Sequence, residues 1–379
     1  MNMREKNDND FRRGGDQEVK LPLARPFLGS EEEAAVLQVL QSRSIASGQV
    51  VKELETSLAH KFGREHCVLV NSGTCALYIS LKALGTKQVV IPTVTCPGVL
   101  HAVLNAGARP IFADIDPETQ NVDLTSLSEK QWDGCDGIIV THTYGHSADM
   151  DRVENYARKF QARVIEDFAQ ATGGYFNGRI LGSFGRVSIT SFYATKNMTT
   201  GYGGALLTDD PEIYQKCLYA RGDLPYDFYS GIIPLNLKMT DMQAALGLVQ
   251  LRKLDQMVNL RRNIASKMTS LLRGSVMKPP VEKSGVKHAF YKYHILLPEY
   301  MPKVRFIEGM SKEGIAVGRL YDPPLHQTPL ARNLCHTQVS LPMSENIAPR
   351  TVSLPIFPEM TEEECHYIYR AIVKVMENG

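Results

Sequence analysis

Four short stretches carry residue types that could do chemistry together. The first is Asn71-Ser72-Gly73-Thr74, which runs straight into the helix-like CALYISLKAL. A glycine and a hydroxyl at a helix start offer free backbone amides, a positive dipole end and a side-chain donor, the makings of a phosphate seat. A plain helix cap uses the same residues. The second stretch is Glu166-Asp167-Phe168-Ala169-Gln170, two acids that close an apolar run. Burying a carboxylate there is costly without a partner. A protonated ring nitrogen would serve Asp167, as in a pyridoxal site, although a strand-end carboxylate can also simply cap the next turn. The third is Ser191-Phe192-Tyr193-Ala194-Thr195-Lys196-Asn197, ahead of the glycine-rich Thr199–Gly204. A lysine that desolvates readily suits a Schiff-base nucleophile, yet most loop lysines are only solvated. The fourth is Asn236, which precedes a helix whose cap position Thr240 already fills.

The elements that must position these residues follow from hydrophobic patterning. Short apolar runs at 67–70, 88–92, 110–116, 137–144, 163–169, 187–193 and 204–209 alternate with helical patterns at 97–106, 149–160 and 211–220. Runs that are continuous rather than alternating predict strands buried on both faces, hence an α/β fold with a mostly parallel sheet under helices. In such sheets ligands gather beyond the carboxyl ends of the strands, where the first three stretches fall. Capping boxes are expected at Ser30–Glu33, at Thr240–Gln243 and at Thr361–Glu364. The second opens a long helix to about residue 272, the expected link between a large domain (21–250) and a smaller one (251–379). The smaller domain holds a strand-like run at 291–297 and helices near 304–313 and 362–376. Residues 1–20 are polar and glycine-containing, and are expected to be a disordered arm.

Composition excludes several classes. A net charge of +1 gives no footprint for nucleic acid or an acidic membrane, and no apolar run is long enough to span a bilayer. The seven cysteines are odd in number and scattered, so reduced thiols in the cytoplasm are expected rather than disulfides. No histidine spacing of the His-Glu-x-x-His kind points to a metal, and no Gly-x-Gly-x-x-Gly supports a dinucleotide oxidoreductase.

Taken together, LPLARPFLGSEEE, NSGTCAL, VIEDFAQATGG, SFYATKNMTTGYGGALLTDD, NLKMTDMQAALG, the Pro-Leu-His at 324–326 and VSLPIFPEMTEEE resemble the DegT/DnrJ/EryC1/StrS sugar aminotransferases over nearly the whole chain. The resemblance implies the fold-type-I architecture of aspartate aminotransferase: a seven-stranded, mostly parallel large-domain sheet and a smaller α+β C-terminal domain. It implies pyridoxal 5'-phosphate as cofactor, with Lys196 forming the internal aldimine and moving the substrate proton. By the same resemblance Asp167 pairs with the pyridine nitrogen and Gln170 lies near the phenolic oxygen. Gly73, Thr74 and Ser191 hold the phosphate, with Cys75 and Cys96 in the cofactor-binding set. Asn236 would reach the phosphate of a neighbouring subunit, which implies a homodimer with shared active sites.

Two residues depart from the family pattern. Cys96 stands where relatives commonly place an aromatic side chain on the cofactor ring, and Tyr202 where they often carry glutamate. Substrate-side candidates are residues 44–49, Tyr202, Tyr321 and His326. The expected reaction moves an amino group from an amino acid, L-glutamate or L-glutamine, to a nucleotide-linked keto-sugar. A keto-inositol acceptor and a non-catalytic, cofactor-holding regulatory protein are the alternatives. Some relatives carry histidine at the lysine position and act as dehydratases; Lys196 favours transamination.

Overall fold

The computed structural model describes residues 19–223, 230–335 and 339–377; most of the expected arm (1–20) lies outside them. All seven predicted runs form strands of one sheet: β1 His66–Val70, β2 Gln88–Pro92, β3 Arg109–Ala113, β4 Gly137–Thr141, β5 Arg163–Asp167, β6 Val187–Ser191 and β7 Gly204–Thr208. Their spatial order is β1-β7-β6-β5-β4-β2-β3. Only β7 runs against its neighbours, pairing antiparallel with both β1 and β6. The other six therefore point one way, and their carboxyl ends share one edge.

The helices that cover this sheet are α1 Ser30–Ser42, α2 Gln49–Phe62, α3 Gly73–Leu84, α4 Pro97–Asn105, α5 Met150–Phe160, α6 Pro211–Arg221 and the long α7 Asp241–Leu271. Successive strand residues alternate between two cores. Leu69, Val90, Ile138 and Leu207 pack with α2, α5 and α7, whereas Val68, Val89, Ile139 and Leu206 pack with α3, α4 and α6. Burial on both faces is the reason the runs lack polar alternation.

A third core gathers β8 Tyr293–Leu296, β9 Thr351–Leu354, α8 Lys303–Lys312 and α9 Glu362–Glu377 around the end of α7. The expected boundary at 250/251 falls inside α7, whose Ala244 and Leu254 belong to the first core and Ala265 and Met268 to the third. Leu21 lies in this third core and bridges Ile315.

Two of the three capping boxes are as expected. The Thr240 hydroxyl accepts from the Gln243 N–H while Gln243 Oε1 accepts from the Thr240 N–H, and Thr361 and Glu364 reciprocate in the same way. The box expected at Ser30–Glu33 is shifted by one residue. Gly29 is the cap, its N–H donating to Glu32 Oε2 at 2.9 Å. Ser30 is already inside the helix.

Candidate active site

Val70 at the end of β1 and Ser191 at the end of β6 both pair with Gly204, the first residue of β7. The start of α3 is thereby pressed onto Ser191. A Cβ added at Gly73 would lie 2.8 Å from Ser191 Cβ, and one at Gly204 would lie 2.5 Å from the Gly73 nitrogen. Glycine is required at both places because two backbones nearly touch. The Ser72 hydroxyl caps the Cys75 N–H at 3.2 Å, which leaves the Gly73 and Thr74 amides, the first two of α3, free of that cap. Thr74 is exposed at this end. A Cβ at Gly98 would meet Thr74 Oγ1 at 2.6 Å and Cys96 Sγ at 3.6 Å, so the segment after β2 closes over the same helix start. Gly73, Thr74, Cys75, Cys96 and Ser191 are therefore brought together.

The paired acids at the end of β5 point to opposite faces, as strand alternation dictates. Glu166 turns inward and is fully satisfied. It accepts from the Gly182 N–H (2.7 Å) and the Phe184 N–H (2.8 Å), and His142 Nε2 lies 2.9 Å away. The Ala148 N–H donates to His142 Nδ1 at 3.0 Å, so the other ring nitrogen, Nε2, is the one that can donate to Glu166. Asp167 turns toward the strand-end edge. One of its oxygens accepts from the Ala169 N–H at 3.0 Å, and among the described residues it has no ion-pair partner. Burial raises its carboxyl above the usual range; the Ala169 N–H, the Lys196 ammonium and His142 pull the other way.

Lys196 follows β6 in a turn closed by its N–H donating to Tyr193 O at 2.9 Å. Its Nζ lies 4.2 Å from the centre of the Tyr291 ring, within the range of a cation–π contact, and it makes no ion pair among the described residues. The Tyr291 hydroxyl is 3.2 Å from Thr195 Oγ1. Burial pushes this hydroxyl up, but the ammonium groups of Lys196 and Lys292 and the Thr195 hydrogen bond bring it down to about 8. Tyr321 stands beside it, its hydroxyl pushed well above the ordinary value by burial and then by Cys96, Tyr291, Tyr144 and Asp167. Tyr144, in a left-handed conformation at φ 58°, stacks on Tyr321 at 5.8 Å, and its N–H donates to Gln170 Oε1 at 3.1 Å. Such a φ costs a non-glycine residue about 1–2 kcal/mol and persists where its surroundings enforce it.

Tyr144 and Tyr291 were not anticipated. Tyr144 ends the predicted strand run at 137–144 and Tyr291 begins the run at 291–297, two element ends whose ligand-side position patterning could have flagged. His326 is buried, with Nδ1 2.6 Å from Thr93 Oγ1 and Nε2 3.1 Å from Glu345 Oε1, so both ring nitrogens are engaged. Tyr202 is 61% exposed, in edge contact with Tyr193. Asn236 is exposed, between exposed Leu235 and buried Leu237. The 44–49 loop is tied to the start of α7, where Asp241 Oδ1 accepts from the Gly48 N–H at 2.8 Å and the Asp241 N–H donates to Ala46 O.

These residues fit a phosphate-bearing pyridine aldehyde. Gly73, Thr74 and Ser191 form a seat of close-packed backbone and small hydroxyl side chains at a positive helix end. Among the described residues Asp167 and Lys196 make no ion pair, although the lysine ammonium is near enough to act on the carboxylate.

A family model described as the DegT/DnrJ/EryC1/StrS aminotransferase family matches residues 26–373. The chain is 33% identical over 346 residues to a pleiotropic regulatory protein of Geobacillus stearothermophilus, covering 89% of this chain and 92% of that protein. It is 31% identical to a dTDP-4-dehydro-2,3,6-trideoxy-D-glucose 4-aminotransferase of Saccharopolyspora spinosa, covering 94% of this chain and 97% of that one. Among solved structures it superposes on Helicobacter pylori PseC, an aminotransferase involved in the biosynthesis of pseudoaminic acid, with a TM-score of 0.87. Identity there is 26%, with 95% of this chain and 100% of that chain covered.

Proposed function

The chain belongs to the DegT/DnrJ/EryC1/StrS aminotransferase family, and from that premise we propose that it moves an amino group from L-glutamate or L-glutamine to a nucleotide-linked keto-sugar, using pyridoxal 5'-phosphate. One observation carries the reading: a lysine and an aspartate, neither of them ion-paired among the described residues, stand at the same strand-end edge as the Gly73–Ser191 seat. When bound, the cofactor supplies an electron sink for the carbon that exchanges its nitrogen.

The chain's own residues do the rest. Gly73, Thr74 and Ser191 would hold the phosphate, and Cys75 borders that seat. Asp167 would keep a proton on the ring nitrogen, which burial of its carboxylate makes worthwhile. Gln170, fixed by the Tyr144 N–H, would orient the ring oxygen. Cys96 and Tyr321 would flank the ring, and Lys196 would act as nucleophile and carry the proton at the reacting carbon. Asn236 would serve the site of a second copy; its exposure beside Ile233 (80% exposed) and Leu235 (47% exposed) supports a dimer. Tyr202 and residues 44–49 border solvent and would meet the acceptor, while the engaged nitrogens of His326 suit it to shaping the wall next to Tyr321.

The nucleotide-sugar acceptor draws its support from the Saccharopolyspora relative, whose name specifies a dTDP-sugar; a keto-inositol is the alternative acceptor. The regulatory name of the Geobacillus relative favours a second reading, a cofactor-holding regulator. The two separate on one experiment. Protein loaded with pyridoxal 5'-phosphate is mixed with each amino donor in turn. Loss of the yellow band with glutamate or glutamine, and its return with a keto-sugar nucleotide, supports amino transfer. A yellow protein that no donor changes supports the regulator.

A further inference from the structure

A cavity of about 670 Å³ lies between the loop after β3 and the C-terminal unit, lined by residues from 117–120, 269–281 and 343–350 together with His294 and Leu296. That volume is in the range of pockets that hold small organic molecules. None of the residues that would hold the cofactor lines it.

Its chemistry is uneven in a definite way. Arg273, Lys278 and Arg350 line it against a single acid, Glu118, whose carboxylate is already paired with Lys283. Arg350 is held by Asn346 and lies 3.8 Å from Glu299. Arg273 and Lys278 are exposed and have no ion-pair or hydrogen-bond partner for their side chains among the described residues. Leu272, Met277 and Ile347, all buried, give the cavity an apolar floor. The wall also contains His294, 4% exposed, whose Nδ1 has no hydrogen-bond partner. Burial and His146 hold that imidazole neutral, so it offers a hydrogen bond rather than a charge. Buried polar atoms are ordinarily paired, and one left over beside a cavity marks a place for a ligand atom or a water.

We propose that this cavity is a second ligand site, apart from the catalytic one, for a small amphipathic anion: a carboxylate or phosphate carried on an apolar body. The anionic group sits between Arg273 and Lys278, where a fork of donors and a mobile ammonium both accept oxyanions. The body lies over Leu272, Met277 and Ile347, and a polar atom at its far end faces His294. The His294 ring is 4.6 Å from Tyr144, which stacks on Tyr321, so a run of neighbouring rings leads from this cavity toward the catalytic site.

The test uses the full-length protein and two probes, 1-naphthyl phosphate and 1-naphthaleneacetate, titrated by fluorescence. The expected result is saturable binding of one probe per chain, weakened at least tenfold in the double variant Arg273→Glu, Lys278→Glu and unchanged in the control Lys130→Glu. Hydrogen exchange should slow across 272–281 on binding. Whichever probe binds more tightly identifies the anion as phosphate or carboxylate. Equal binding by the wild type and the double variant, no saturable binding of either probe, or protection confined to residues around Lys196 would overturn the proposal. Both substituted side chains are exposed, so a folded variant is expected, and its circular dichroism spectrum serves as the check.

Discussion

Lys196 and Tyr291 face one another, the lysine Nζ lying 4.2 Å from the centre of the tyrosine ring. The contact joins the loop after β6 to the residues just before β8, so the sheet and the C-terminal unit meet on the proposed nucleophile. It also explains why a buried phenol ionises easily. The Tyr291 hydroxyl sits at about 8 instead of about 10 because burial, which raises it, is outweighed by two ammonium groups and the Thr195 hydrogen bond together.

That value gives the first prediction. The folded-state value is the lower one, so the fold favours the anionic hydroxyl most above about pH 10, and the contribution fades as pH falls through about 8. An ultraviolet difference titration of the cofactor-free protein should show one tyrosine ionising near pH 8. Tyr291→Phe should remove that step, and Lys196→Met should move it upward. A Tyr291→Phe protein with an unaltered titration would show that another tyrosine is responsible.

Gly73 gives the second. In Gly73→Ala the new methyl group would lie 2.8 Å from Ser191 Cβ and 3.3 Å from Thr190 O. The start of α3 must move away from β6, at a cost of about 1–3 kcal/mol typical of overpacking. Cofactor affinity, measured by fluorescence titration, should fall at least tenfold with the fold retained. Undiminished affinity would mean that the phosphate is held elsewhere.

Acid stability gives the third. His146, His288 and His294 are buried together, and burial lowers all three, His294 to about 3 and His288 well below the usual value. A histidine held neutral in the fold but free to protonate when unfolded loses stability as pH falls from about 6.5 toward its folded value. The thermal midpoint should decline below about pH 6.5, and His294→Gln should make that decline shallower. An identical slope in the variant would count against the assignment.

Much of this was legible in the sequence because burial on both faces of the sheet leaves a continuous apolar signature. All seven strand runs and the boxes at Thr240 and Thr361 could be read that way, as could the clustering of Gly73, Asp167, Ser191 and Lys196, since parallel strands put their carboxyl ends on one edge. What escaped depends on contacts between distant segments. Tyr291 reaches Lys196 only because the C-terminal unit docks on the sheet. Residue type alone did not separate the paired acids: strand alternation sends Glu166 to the opposite face from Asp167, where His142 and two backbone amides hold it. At the start of α1, which of three consecutive glutamates closes the box is set by backbone geometry at Gly29, beyond any residue pattern.

Asn236 gives the fourth prediction. If it serves a neighbouring site, Lys196→Ala and Asn236→Ala chains, each inactive alone, should complement when co-expressed. Random pairing of two chain types in a two-fold dimer leaves about a quarter of the sites fully wild type. Activity near that fraction is expected. No recovery above the separate variants would place Asn236 in its own subunit's site or outside the chemistry.

The most direct test of the central claim is covalent capture. Protein incubated with pyridoxal 5'-phosphate is reduced with borohydride, digested and mapped by mass spectrometry. The predicted result is a single pyridoxyl adduct on the peptide containing Lys196, with neither adduct nor amino transfer in Lys196→Ala. An adduct on another lysine, or a Lys196→Ala protein that still exchanges nitrogen with glutamate, would contradict the account.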